Sequence, residues 1–74
     1  YAIRANAICP GAIETPSNPL LDDPAFRAAL ESRIPLGRVG TPDDVARAAL
    51  FLASPPADFI TGQIIPVNGG FRYE

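Results

Sequence analysis

The chain offers few side chains that could do acid–base, nucleophilic or metal chemistry. Its 74 residues contain no histidine and a single cysteine, Cys9. This composition excludes histidine-based zinc sites, a Ser-His-Asp triad, a Cys-His pair and an internal disulfide. Two adjacent carboxylates, Asp43 and Asp44, follow Thr41 and Pro42, and helix capping together with the helix dipole explains them. We therefore predict no catalytic residue and no metal site within this chain.

A more informative stretch is ICPGAIETPSNP, residues 8–19, in which an apolar run stops at Pro10 and Gly11. Proline restricts the backbone and glycine permits close approach, while backbone groups that follow a strand can hydrogen-bond a ligand. We interpret this break as the place where a sheet meets a ligand. The alternative is an ordinary turn, in which Thr15 would be a turn residue only.

The first element that positions this stretch is a predicted strand over Ile3–Cys9. Both of its faces are largely apolar, which is typical of a strand covered on both sides in a parallel sheet. We expect Asn6 to satisfy a neighbouring loop and not to act in catalysis. We expect Cys9 to be a small side chain in the core.

Two helices follow. Asp23 and Pro24 are good residues for a helix start, and they predict a helix over Ala25–Arg33. Thr41 is the predicted N-cap of a second helix, whose body Val45–Ser54 is apolar almost all round. A helix of that kind needs cover on more than one side.

The last element is a predicted strand over Gln63–Asn68. Pro66 cannot donate a ladder hydrogen bond, so this strand is expected at a sheet edge with that position turned outward. Gly69 and Gly70 are expected to let the chain turn there, and they could also border an active site.

The order strand, loop, helix, helix, strand predicts an α/β fold with two parallel strands and a right-handed crossover. Two parallel strands with apolar faces require helices on both sides and further strands, which this sequence does not contain. We therefore interpret the chain as the end of a larger open sheet. In such sheets ligands bind beyond the carboxyl ends of the strands, where Pro10 and Gly11 are placed.

Charge and hydropathy exclude several classes of partner. Six basic and eight acidic residues give a net charge of −2, which does not suit nucleic acid. The longest apolar run, Val45–Ala53, is interrupted by Arg47 and is too short to cross a bilayer. An unpaired thiol and the lack of an export signal predict a cytoplasmic protein.

Three blocks of the sequence, IRANAICPGAIETP, IPLGRVGTPDDVARAALFLAS and FITGQIIPVNGGF, resemble successive blocks of the short-chain dehydrogenase/reductase family. The resemblance implies that residues 1–74 are the C-terminal portion of a single NAD(P)-binding Rossmann-like domain, with no separate second domain. They would supply the sixth and seventh strands of a doubly wound parallel sheet and the intervening helices.

The resemblance also assigns roles to the loop after the first strand. Pro10, Gly11, Ile13 and Thr15 would bind NAD or NADP on its nicotinamide side. Ile13 would bind the carboxamide through its backbone, and the Thr15 hydroxyl would reach the carboxamide or the phosphates. Ser17–Pro35 is similar to the variable lid over a small alcohol or carbonyl substrate. Leu20, Leu21, Phe26 and Leu30 would either close over that substrate or pack the helix.

The implied activity is hydride transfer that interconverts an alcohol and a ketone. Neither Tyr1 nor Tyr73 begins the Tyr-x-x-x-Lys pair that the family uses, so the 74 residues alone are expected to be inactive. A homo-oligomer is expected through Val45–Ser54 and Gln63–Asn68, since a strand edge and an apolar helix both need cover. Two alternatives are a non-catalytic nucleotide-binding relative and a free-standing oligomerisation module.

Overall fold

The computed structural model describes residues 3–72, so the expectations for Tyr1 and Tyr73 lie outside the described residues. Its elements, in chain order, are strand β1 (Ala7–Pro10), a 3-10 helix (Pro19–Asp22), helix α1 (Pro24–Glu31), helix α2 (Pro42–Ala53), a 3-10 helix (Pro55–Ala57) and strand β2 (Ile64–Val67). The chain therefore has the predicted α/β order.

The two strands form a parallel pair, as predicted, with Ala7 opposite Ile64 and Pro10 opposite Val67. β1 is shorter than the predicted strand and starts four residues later. The reason lies in the bonds of the preceding backbone. The Ala5 amide donates to the Thr61 hydroxyl, and the Ala5 carbonyl accepts from Gly62, so these residues bind a turn instead of a ladder.

The side chains of Arg4 and Asn6 strengthen that attachment. The Arg4 guanidinium donates to the carbonyls of Leu52 and Ile60 at 2.8 and 3.2 Å. The Asn6 amide donates to the Ile60 carbonyl at 3.1 Å and accepts from the Gln63 amide at 3.0 Å. The prediction that Asn6 satisfies a neighbouring loop is confirmed.

Pro66 takes the orientation that the sequence predicted. The Ala7 amide donates to Gln63 and the Gly11 amide donates to Val67, so the odd-numbered residues of β2 direct their polar groups towards β1. Because polar groups alternate along a strand, the Pro66 nitrogen faces away from β1. The missing amide hydrogen therefore costs no bond in this pair.

The predicted helix over 25–33 is confirmed in position, but α1 ends earlier, at Glu31. Its start is capped by Asp23, whose carboxylate accepts from the amide of Ala25 at 3.0 Å. At its end the amides of Arg33 and Ile34 donate three residues back, to Leu30 and Glu31. These tighter 3-10 bonds close the helix before Pro35 is reached.

Helix α2 covers one face of the strand pair and leaves the other bare. The face towards α2 contains the half-buried Ile8, Ile65 and Val67. On the opposite face all four paired side chains are exposed: Ala7, Cys9, Ile64 and Pro66. The expectation that Cys9 is a core side chain is therefore wrong for the described residues, because no element among them covers that face.

The core lies beside the sheet, between the loop after β1 and α1. Leu21, Ile34 and Val39 are buried, and Ala12, Leu30 and Phe71 pack against them. Helix α2 has no buried residue, and its Leu50 and Phe51 are exposed. The helix is thus covered on one side only, and its outer apolar side still needs a partner.

Candidate functional site

The four residues predicted to bind a cofactor lie together just beyond the carboxyl end of β1. Pro10, Gly11, Ile13 and Thr15 line a shallow, open groove of about 430 Å³. Its remaining wall comes from Asn18, which precedes the first 3-10 helix, and from Pro42 and Val45 at the start of α2. The structure therefore brings the predicted residues to one mainly apolar surface.

The backbone of Ile13, which lines this groove, has an unusual arrangement of hydrogen bonds around it. The Gly40 amide donates to the Ala12 carbonyl, and the Glu14 amide donates to the Gly40 carbonyl, both at 2.8 Å. In a parallel bridge of this kind, the central residue directs its own amide and carbonyl to the other side. Within residues 3–72 neither group of Ile13 has a hydrogen-bond partner. One donor and one acceptor are thus held in place and left available.

Gly40 also packs closely against the Ile13 side chain. A Cβ atom at Gly40 would lie 2.7 Å from Cδ1 of Ile13. A second cavity of about 180 Å³ borders both Ile13 and Gly40, and its wall also includes Arg38, Asp44 and Asn68. The contact between the loop and Gly40 therefore lies beside open space.

Thr15 begins a turn, which is the structural role that the sequence left open. Its carbonyl accepts from the Asn18 amide at 3.0 Å, with Pro16 at the second position, which proline favours. Its hydroxyl lies 3.0 Å from the Ser17 hydroxyl. The half-buried side chain lines the groove as well, and its contact with a cofactor stays a prediction.

Asp44 is the most heavily bonded carboxylate at the edge of the site. It accepts two bonds from the Arg38 guanidinium, at 2.8 and 3.2 Å, and one from the Thr41 amide at 2.8 Å. The Arg38 guanidinium, followed by the Thr41 amide, holds the pKa of Asp44 far below its usual range. Asp44 is therefore a fixed negative charge. The sequence predicted the cap but not Arg38, whose distance of six residues matches no local pairing rule.

A second ion pair connects α1 with the loop. Arg27 donates to Glu14 at 2.8 Å and lies 3.6 Å from Glu31. The hydrogen bond from Arg27 lowers the pKa of Glu14. Glu31 in turn accepts from the Val39 amide at 3.2 Å. Sequence reasoning missed the Arg27–Glu14 pair, because thirteen residues separate the two and only the fold brings them together.

The apolar residues of Ser17–Pro35 divide between packing and exposure. Leu21 is buried and Leu30 is half-buried against the core. Leu20 and Phe26 remain 59% and 42% exposed. Core packing accounts for the first pair, and only the second pair is available to a substrate.

Among residues 3–72 there is no group of three or more metal-ligating side chains. No helix in the same range is long and apolar enough to cross a membrane.

Comparison with known proteins identifies the family. A family model described as enoyl-(acyl carrier protein) reductase matches residues 1–72. The chain belongs to this family of short-chain dehydrogenases/reductases. It is 53% identical over 68 residues to the 3-oxoacyl-[acyl-carrier-protein] reductase of Thermotoga maritima. The aligned residues are 92% of this chain and 27% of that protein.

Two solved structures are similar in fold as well as in sequence. A 2-deoxy-D-gluconate 3-dehydrogenase structure from Agrobacterium tumefaciens, with bound NADP, has a TM-score of 0.84 at 47% identity, covering 93% of this chain and 28% of that one. A 3-oxoacyl-[acyl-carrier protein] reductase from Brucella melitensis, with bound NAD, has a TM-score of 0.81 at 38% identity, covering 99% and 25%. The chain thus spans about a quarter of the length of these relatives.

Proposed function

We propose that these residues form the C-terminal portion of a single NAD(P)-binding Rossmann-like domain, with β1 and β2 as its sixth and seventh strands. The whole protein would be an oxidoreductase that interconverts an alcohol and a ketone. The observation that carries this proposal is the fixed amide and carbonyl of Ile13 just beyond β1, which have no hydrogen-bond partner among residues 3–72. The family membership and the relatives with bound NADP or NAD support it.

The residues present fit a nicotinamide cofactor. A carboxamide needs one donor and one acceptor, and Ile13 offers that combination from one residue. The Ile13 amide would donate to the carboxamide oxygen, and the Ile13 carbonyl would accept from its nitrogen. Pro10, Gly11 and Thr15 would complete the wall around the ring. When bound, the nicotinamide supplies or accepts the hydride.

The rest of the segment would cover the substrate. Leu20 on the 3-10 helix and Phe26 on α1 are exposed. The ion pair between Arg27 and Glu14 holds α1 next to the loop. These apolar groups would exclude water from the reacting carbon. The general acid would come from outside these residues, so the 74-residue chain alone is expected to show no turnover with NADH or NADPH and a carbonyl substrate.

The test compares cofactor analogues on the full-length protein that contains this chain. Replacing the carboxamide by an acetyl group removes the nitrogen that would bind the Ile13 carbonyl. We expect affinity in calorimetry to fall about three- to tenfold relative to the natural cofactor, as for one lost hydrogen bond. Equal affinities would refute the contact at Ile13. Tight cofactor binding without turnover would instead identify a non-catalytic relative.

We further propose that the protein is a homo-oligomer through the region of α2 and β2, predicted over Val45–Ser54 and Gln63–Asn68. The outer residues Leu50 and Phe51 of α2 are 71% and 48% exposed, and β2 is expected at a sheet edge because Pro66 cannot donate a ladder hydrogen bond. Apolar surface of this kind needs a covering partner. Sedimentation of the full-length protein should show a dimer or larger species, and a monomer at high concentration would contradict the proposal.

A further inference from the structure

We propose that Asp44 is a positioning residue for the nicotinamide carboxamide, acting through the peptide bond between Gly40 and Thr41. This inference rests on the proposed contact between the cofactor and Ile13. Asp44 itself would not touch the cofactor. It would fix the backbone that in turn fixes Ile13.

The contacts form one continuous path. The Thr41 amide donates to Asp44 at 2.8 Å, and the Gly40 carbonyl accepts from the Glu14 amide at 2.8 Å. These two groups belong to the same planar peptide unit and point in opposite directions. A rotation of that peptide would break both bonds together, so Asp44 holds the Glu14 amide through a rigid connection.

Asp44 is itself held in place. Its two oxygens accept from the Arg38 guanidinium at 2.8 and 3.2 Å, and its own amide donates to the Thr41 hydroxyl at 3.2 Å. Its side chain is only 20% exposed, against 57% for Arg38. A carboxylate with this many partners, in a partly shielded place, has little freedom to move.

Packing around this bridge is incomplete. The cavity of about 180 Å³ borders Ile13, Gly40 and Asp44 alike. Without the bonds of the peptide between Gly40 and Thr41, the loop could therefore shift relative to Gly40 beside that space. The available donor and acceptor of Ile13 would then lose their fixed direction.

Asp43 provides a matched control. It is the neighbouring carboxylate in the first turn of the same helix and meets the same helix dipole. However, it is 73% exposed and pairs with Arg47 at 3.0 Å, one turn further along the helix. It has no bond to Gly40 or Thr41 among residues 3–72.

The test uses full-length Asp44→Ala, Asp44→Asn and Asp43→Ala proteins. Calorimetry measures the affinity for the natural cofactor, its acetyl analogue and ADP-ribose, which lacks the nicotinamide. Asp44→Ala should weaken binding of the natural cofactor by about three- to tenfold, leave ADP-ribose unchanged, and abolish the preference over the acetyl analogue. Asp44→Asn keeps an acceptor for the Thr41 amide and should retain part of that preference. Asp43→Ala should match the wild type.

Hydrogen exchange gives a readout that does not depend on binding. In the unliganded protein, the Glu14 amide should exchange faster in Asp44→Ala than in Asp43→Ala, because only the former loosens its acceptor. If Asp44→Ala leaves the exchange of the Glu14 amide unchanged and keeps the wild-type preference for the natural cofactor, the proposal is overturned. An equal loss of affinity for ADP-ribose and for the natural cofactor would also overturn it. If Asp44→Ala does not fold, Asp44→Asn decides by the same criteria. If the wild type binds the natural cofactor and the acetyl analogue equally well, the proposed contact at Ile13 is wrong. That result differs from one in which the wild type shows the preference and only the role of Asp44 fails.

Discussion

Gly11 and Asn68 approach so closely that a Cβ atom at Gly11 would lie 2.6 Å from Cβ of Asn68 and 2.9 Å from its Cα. This contact joins the carboxyl ends of β1 and β2, where the loop begins. The glycine is therefore required by the packing of the strand ends, whatever it contributes to a ligand.

Gly11→Ala should destabilise the protein more than Gly40→Ala. At Gly11 the obstructing atoms are in or next to the backbone, so relief requires the strands to move. At Gly40 the obstructing atom is the end of the Ile13 side chain, which can rotate. Overpacking costs about 1–3 kcal/mol, and we expect Gly11→Ala near the upper limit. Urea unfolding of the full-length variants measures this, and the reverse order would contradict the packing described.

Asn6→Asp should lower the free energy of unfolding by about 0.5–1.5 kcal/mol, as for one hydrogen bond lost at a partly buried position. The substitution keeps the acceptor for the Gln63 amide but places an oxygen against the Ile60 carbonyl. Gln63→Glu is the control, since it makes the same amide-to-acid change on an exposed side chain nearby. Thermal unfolding should separate the two, and equal midpoints would show that the Asn6 bridge contributes little.

Stability should fall in acid partly because of Asp44 and Glu14. Both carboxyls have a pKa lowered by arginine, the first by Arg38 and the second by Arg27. The unfolded chain therefore binds protons at a higher pH than the folded one, and the stabilisation is complete above about pH 5 and declines as the pH falls below about 4. Urea midpoints between pH 7 and 3 should fall less steeply in Asp44→Asn than in wild type. Parallel curves would contradict this assignment.

The thiol of Cys9 reports whether the bare face of the strand pair is covered. Cys9 is exposed among the described residues, but the proposed larger sheet would place further elements over that face. We expect slow alkylation of Cys9 in the native full-length protein and fast alkylation in denaturant, measured by mass spectrometry of the peptide that contains it. Fast labelling of the native protein would argue against the proposed domain.

The sequence by itself determined the local features. Capping residues and prolines located both helices and the outward position of Pro66, since these depend on neighbours within a few residues. Composition excluded histidine chemistry, and the three sequence blocks indicated the family that the comparisons confirmed. The contacts of the four site residues with a cofactor remain predictions.

Only the tertiary structure decided which distant residues meet. The bond between Gly40 and the loop, the Arg27–Glu14 pair and the close packing of Gly11 on Asn68 join positions that no helical or strand period relates. The start of β1 and the exposure of Cys9 depended in the same way on long-range contacts. Ala5 binds Thr61 instead of continuing the strand, and no element among residues 3–72 covers the Cys9 side chain. Local rules predict where an element starts, because they depend on neighbouring residues. The orientation of the Ile13 amide and carbonyl depends instead on the bridge to Gly40, which lies 27 residues further along the chain.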